Sequence, residues 1–156
     1  MSNERLYPLL KHAQLRLADL IAPALAPHGI DGRELAVLNA LEDQDPLSQQ
    51  EIARRLGIDR TTMVALVDGL EAKGLVERHP HPADRRKNMV ELTATGRDTR
   101  GLATKASEEA ERRFLAPLDE NDAKRLKETL HTLIAAATGR AAQAARSGRD
   151  ALRPGA

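Results

Sequence analysis

The sequence has no cysteine and no tryptophan, and only one tyrosine and one phenylalanine. Without cysteine there is no disulfide, no thiolate chemistry, no Cys-ligated zinc and no iron–sulfur cluster. Two aromatic rings cannot make the stacking platform that grips single-stranded nucleic acid, which needs several. Long apolar runs are also missing. Residues 133–137 (Leu-Ile-Ala-Ala-Ala) are typical of the longest, far short of the roughly 20 residues a bilayer helix needs. Residues 1–11 carry charge but no apolar signal core. Nor is there charge of one sign: 24 Lys+Arg face 23 Asp+Glu, a net +1. Any polyanion site must therefore come from where charges sit. These absences predict a protein of the cytoplasm with no membrane partner. What is present is ordinary globular composition, 41% apolar with 10 glycines in 156 residues, enough for one compact domain or one with an extension.

Apolar residues at Leu6, Leu9, Leu10, Ala13, Leu17, Leu20, Ile21 and Leu25 fall in steps of three and four. That spacing predicts a long helix over residues 3–25, loosened and ended by Pro23, Pro27 and Gly29. A second helix is expected over 31–42, with Leu35, Leu38 and Leu41 inward. Ser48-Gln49-Gln50-Glu51 reads as a capping box: the serine oxygen caps an amide and Glu51 reaches back to the serine amide. It opens a short helix over 49–56, ended by Gly57. Asp59 caps the next helix, expected to run to Lys73 with Met63, Leu66, Val67 and Leu70 buried. Gly74 suits the left-handed position after a helix. Then the period changes to two. Residues 75–79 and 88–92 read as short strands joined by a turn-rich segment, which makes a hairpin. After Thr93 and Gly96 a helix is expected over 97–115. Pro117 breaks it, Asp119 caps again, and a last helix is expected to end near Ala137. Residues 139–156, with four Arg and one Asp, are expected to fray as a flexible basic tail.

The middle third carries the functional signal. Two capped helices around Leu56-Gly57-Ile58-Asp59 form a helix-turn-helix. Its second helix must bury one face and leave the other free. The free face would hold Arg60, Thr61, Thr62, Val64, Ala65 and Asp68. Arg60 can fork onto guanine or phosphate, the threonines can bond phosphates or base edges, and Val64 and Ala65 can lie on thymine methyls. The hairpin that follows is basic: Arg78, Arg85, Arg86 and Lys87 stand against Asp84 alone. A narrow minor groove attracts inserted arginine, and Asp84 is placed to hold the guanidinium of Arg86 in orientation.

Residues 48–96 resemble the winged helix-turn-helix of the MarR family of bacterial transcription regulators. The matching stretches are 47–53 (LSQQEIA), 66–78 (LVDGLEAKGLVER), 82–87 (PADRRK) and 90–96 (VELTATG). With the order of the flanking helices, the likeness covers about residues 5–137. It implies a mainly α fold with a small β-hairpin wing, and N- and C-terminal dimerisation helices. The implied segments are 1–30 (dimerisation helix), 31–96 (DNA-binding domain), 97–138 (dimerisation helices) and 139–156 (tail). It further implies a homodimer on a pseudo-palindromic DNA duplex, acting as a repressor, without cofactor. Arg86 would enter the minor groove, oriented by Asp84, and residues 60–68 would face the major groove. Many members carry a basic residue where this chain has Ala65. Affinity is therefore expected to lean on Arg54, Arg55, Lys73 and the wing residues Arg85, Arg86 and Lys87, with steep salt dependence, and Ser48 is a further expected DNA contact. The dimer also has support in the residues themselves. Leu6, Leu10, Leu17 and Ile21 at one end and Leu126, Leu130, Leu133 and Ile134 at the other are more apolar surface than a small winged module covers. Recognition helices of such a dimer would lie about 34 Å apart. Relatives often bind a small aromatic acid, for which His12 and Arg16, one helical turn apart, are the candidate contacts, with His28 a weaker one.

Two rival readings are open. One is a winged helix used only for protein contact, against which the basic wing tip speaks. The other is a metal-dependent hydrolase around His79, His81 and Asp84. That trio lacks helical i, i+4 pairing and a second carboxylate at ligand spacing. With no phosphate-cradling loop and no nucleophile elbow either, the chain is expected not to be an enzyme, with no catalytic residue and no metal.

Overall fold

The computed structural model describes residues 5–42 and 45–150, with side chains described as far as 137. Two compact units are present, Met1–Phe114 and Leu115–Ala156.

In the first unit, helix α1 spans Leu6–Leu25 and passes through Pro23 before a short 3-10 turn, Ala26–His28. The expected start at Asn3 lies outside the described residues. Helix α2, Gly32–Ala40, opens on a full capping box. Asp31 accepts from the Glu34 amide at 2.9 Å, and Glu34 accepts from the Asp31 amide at 3.0 Å. Strand β1, Leu47–Ser48, was not expected: two residues are too short to show a period of two. Helices α3 (Gln49–Leu56) and α4 (Arg60–Ala72) follow, then strands β2 (Val76–Pro80) and β3 (Asn88–Leu92). The sheet is antiparallel throughout, in the order β1-β3-β2. Helix α5 covers Ala94–Leu115.

One core holds the unit together. Leu25, Leu38, Ile52, Met63, Leu70 and Val90 are fully buried within a single cluster, each worth about 1.5–3 kcal/mol against exposure. The helix-turn-helix and the hairpin thus share a core, which fixes the wing relative to α4.

The junction into α5 rests on two residues. Thr93 donates its hydroxyl to the Gly74 carbonyl at 2.6 Å and accepts from the Gly96 amide at 2.9 Å. It caps the helix three residues earlier than expected. Gly96 packs on the backbone of Leu75, where a Cβ would lie 1.9 Å from the Leu75 carbonyl oxygen. Gly74, at φ 72°, takes the left-handed conformation expected of it.

In the second unit, Asp119 accepts from the Asp122 amide at 2.8 Å and starts helix α6, Glu120–Asp150. The helix continues 13 residues beyond the expected stop at Ala137. Residues 138–150 are rich in alanine and arginine, both strong helix formers, and single glycines cost only about 1 kcal/mol each. The last part of the expected tail, residues 151–156, lies outside the described residues. On α6, Leu126, Leu130, Leu133 and Ile134 are exposed along one face. Among the described residues, no helix is long and apolar enough to cross a membrane.

Candidate nucleic-acid interface

Each helix of the helix-turn-helix is set by its cap. Ser48 Oγ accepts from the Glu51 amide at 3.1 Å. The reciprocal arm of the expected capping box is replaced. Glu51 instead receives Arg54 at 2.6 Å and Arg55 at 2.9 Å. Those two guanidiniums, Arg54 first, hold its carboxyl down to a pKa of about 2. An ionised partner competes better for a carboxylate than a neutral amide does, and Ser48 already pairs with Met89 in the sheet. At α4, Asp59 accepts from the Thr62 amide at 2.9 Å and from the Thr62 hydroxyl at 2.7 Å. Those bonds, the amide first, lower the Asp59 pKa.

Helix α4 divides largely along its expected stripe. Met63, Val67 and Leu70 are buried, but Leu66, expected with them, is only half-buried against the core. Arg60, Thr61, Val64, Ala65 and Asp68 are exposed, and Thr62, expected on the free face, is half-buried. Asp68 does not stand free. It pairs at 2.6 Å with Arg78, which also reaches Glu71 and donates to Gln49 Oε1 at 2.7 Å and to the Val64 carbonyl at 3.3 Å. Arg78 is thus a strut tying β2 to α3 and α4, not a cation of the wing tip. Strand alternation puts it on the same face as buried Val76.

The wing tip is built from local bonds. Asp84 Oδ1 accepts from the Arg86 amide at 3.1 Å, and the Asp84 carbonyl accepts from the Lys87 amide at 3.0 Å. Asp84 therefore orients Arg86 through its backbone rather than by gripping its guanidinium. A two-residue separation suits an Asx turn, in which the short side chain meets the near amide first. His81 Nδ1 accepts from the amides of Ala83 at 3.0 Å and Asp84 at 3.3 Å. The trio of the hydrolase reading is not assembled, since His79 lies against Glu91 instead. Arg85, Arg86 and Lys87 are exposed.

Helix α3, helix α4 and the wing together enclose a cleft of about 390 Å³, lined among others by Ser48, Arg60, Asp84, Arg86 and Lys87. Five expected residues from three elements thus converge on one concavity. Gln49, Gln50 and Asn88 line it too. They were not among the expected contacts, although the two glutamines open α3 directly after its cap. Lys73 is drawn away to a structural role. Its ammonium bonds Glu34 at 2.7 and 2.9 Å and the Gly29 carbonyl at 2.8 Å. Arg54 and Arg55 flank Glu51 on the exposed side of α3. His12 and Arg16 are both exposed on α1 and His28 is half-buried after it.

Comparison with known proteins places this architecture. Residues 28–87 match the profile of the MarR family. The structure of the transcriptional repressor CouR, bound to a 23-mer DNA duplex, is similar at 34% identity with a TM-score of 0.79, over 83% of this chain and 92% of that one. The chain belongs to the MarR family. Among curated relatives, the HTH-type transcriptional repressor NicR of Pseudomonas putida is 33% identical over 94 residues, 60% of each chain. The regulator YdgJ of Bacillus subtilis is 29% identical over 65% of this chain and 62% of its own length. The chain thus spans about 60% of the length of these curated relatives. A crystal structure described as MarR superposes with a TM-score of 0.82 at 22% identity, a likeness of fold alone. In this MarR-family chain the family's winged module corresponds to β1 through β3, with the convergent cleft on its surface.

Proposed function

We propose that this chain is a transcriptional regulator acting as a repressor, and that it binds a pseudo-palindromic DNA duplex as a homodimer. The free face of α4 enters the major groove and Arg86 the minor groove. The observation that carries the reading is the convergence of Ser48, Arg60, Arg86 and Lys87, from three elements, on one cleft. The similarity to CouR, bound to duplex DNA, supports it from outside. Arg60, Arg85, Arg86 and Lys87 have no acidic partner among the described residues, and they supply the phosphate and groove contacts. The exposed leucines of α1 (Leu6, Leu9, Leu10) and of α6 (Leu126, Leu130, Leu133) are the surfaces a second copy covers. In this reading the chain works in the cytoplasm, on the chromosome, and performs no covalent chemistry. His12 and Arg16, both accessible on α1, are the contacts we assign to an anionic effector that releases DNA.

The test is selection of bound sites from randomised duplexes, followed by a salt series on the winner. Four free cations on each of two copies predict that log K falls against log salt with a slope near −7 if all meet phosphates. A dimer that binds no duplex even in dilute buffer overturns the proposal.

A further inference from the structure

The outward face of the wing carries a cluster without a part in DNA binding. Glu77 and His79 are two residues apart on β2, so their side chains leave the same face of the hairpin. Glu91 stands directly opposite Glu77 in the β2/β3 register. Like charges facing each other across an antiparallel pair destabilise a sheet. Here both carboxylates gather around one imidazole. His79 Nε2 lies 2.5 Å from Glu91 Oε1 and 3.7 Å from Glu77 Oε2. The three potential ligand atoms all fall within 4.8 Å of one another. Arg78, between the two β2 residues, points to the opposite face and pairs with Asp68. Among the described residues, no lysine or arginine is paired with Glu77 or Glu91. A cation at its centre would meet two carboxylate oxygens and one imidazole nitrogen.

We propose that Glu77, His79 and Glu91 form a binding site for a divalent cation of the zinc class. One imidazole nitrogen and two carboxylate oxygens are ligands that Zn²⁺ accepts, with water completing four-coordination. Imidazole selects against Mg²⁺ and Ca²⁺, which take oxygen donors. Two ligands on β2 and one on β3 make the ion a cross-link at the stem of the wing, below the loop that carries Arg85 and Arg86. The site stands independently of whether the wing meets DNA.

The test uses the untagged full-length protein, freed of metal by a chelator. Zn²⁺ is titrated by calorimetry and Co²⁺ by its visible absorption. One ion per chain is expected. His79→Gln and Glu91→Gln should each weaken binding by more than about tenfold, since loss of even an outer-sphere partner costs that much. His131→Gln should change nothing. A second readout is melting temperature. Without metal, Glu77→Gln should hold or raise it, because a repulsion is removed. With Zn²⁺, the variant should lack the rise seen in the parent protein. Absence of stoichiometric uptake, uptake that survives His79→Gln, or an undiminished zinc response in Glu77→Gln overturns the site. A cluster held together only by the hydrogen bond between His79 and Glu91 would give the first of these.

Discussion

At the scale of single residues, the structure sorts cations that look equivalent in the sequence. Lys73 and Lys87 were both expected to contact DNA. Lys73 is bonded to Glu34 and the Gly29 carbonyl, whereas Lys87 lines the cleft. Lys87→Gln should lower the salt slope of DNA binding by about 1 for each phosphate left unneutralised. Lys73→Gln should leave the slope alone and reduce stability instead, because it strips the buried Glu34 carboxylate of its partner. Equal slopes for the two variants, read by fluorescence anisotropy, would contradict this division. Arg86→Ala should cost about 1–3 kcal/mol in duplex affinity, the scale of a groove contact. An unchanged dissociation constant in a folded Arg86→Ala dimer would remove Arg86 from the interface. Arg78 carries two sequence signals that conflict. Its place in the basic run pointed to the wing tip, while its alternation with Val76 pointed inward. Alternation won, because an inward side chain there meets Asp68, Glu71 and Gln49.

At the scale of elements, the caps and the β3–α5 junction govern stability. The Gly96 Cα faces the Leu75 carbonyl so closely that Gly96→Ala must displace backbone. The expected loss is about 1–3 kcal/mol, typical of overpacking, measurable by urea unfolding. Gly101→Ala on the same helix has open space at its Cβ and should not lose stability. Two carboxylates at the starts of α3 and α4 set a pH window. Glu51 is lowered from 4.5 to about 2 by Arg54 and Arg55, and Asp59 is lowered by Thr62. A carboxylate depressed in the folded state binds fewer protons there than in the unfolded chain. Its stabilisation is therefore complete above about pH 4.5 and fades as pH falls toward 2. Thermal melts across that window should show the decline, and Glu51→Gln should flatten it. The caps themselves were legible, because a cap is local: Ser48, Asp59 and Asp119 all lie within three residues of the amides they meet. The partner of Glu51 was not, since three nearby donors compete and only geometry ranks them.

At the scale of the whole molecule, the exposed apolar faces of α1 and α6 are the feature that a lone chain leaves unexplained. Leu10 is 43% exposed and Leu133 54% exposed. Leu10→Glu or Leu133→Glu should convert a dimer to monomer and weaken DNA binding with it, since each copy would then hold only half of a pseudo-palindromic site. Light-scattering mass and anisotropy on the same sample check both. A dimer that persists in both variants would place the interface elsewhere.

Periodicity, caps and turn chemistry already determined most of this protein: helix order, the buried and free faces of α4, the hairpin and its basic tip. Those signals act over a few residues, so they are written along the chain. The long-range encounters were decided only on folding. Glu34 with Lys73, Gly96 against Leu75, Arg78 as a strut, and Glu91 beside Glu77 and His79 all join residues separated along the chain. No local pattern specifies which distant group a side chain meets, because that depends on how a shared core orients the elements that carry it.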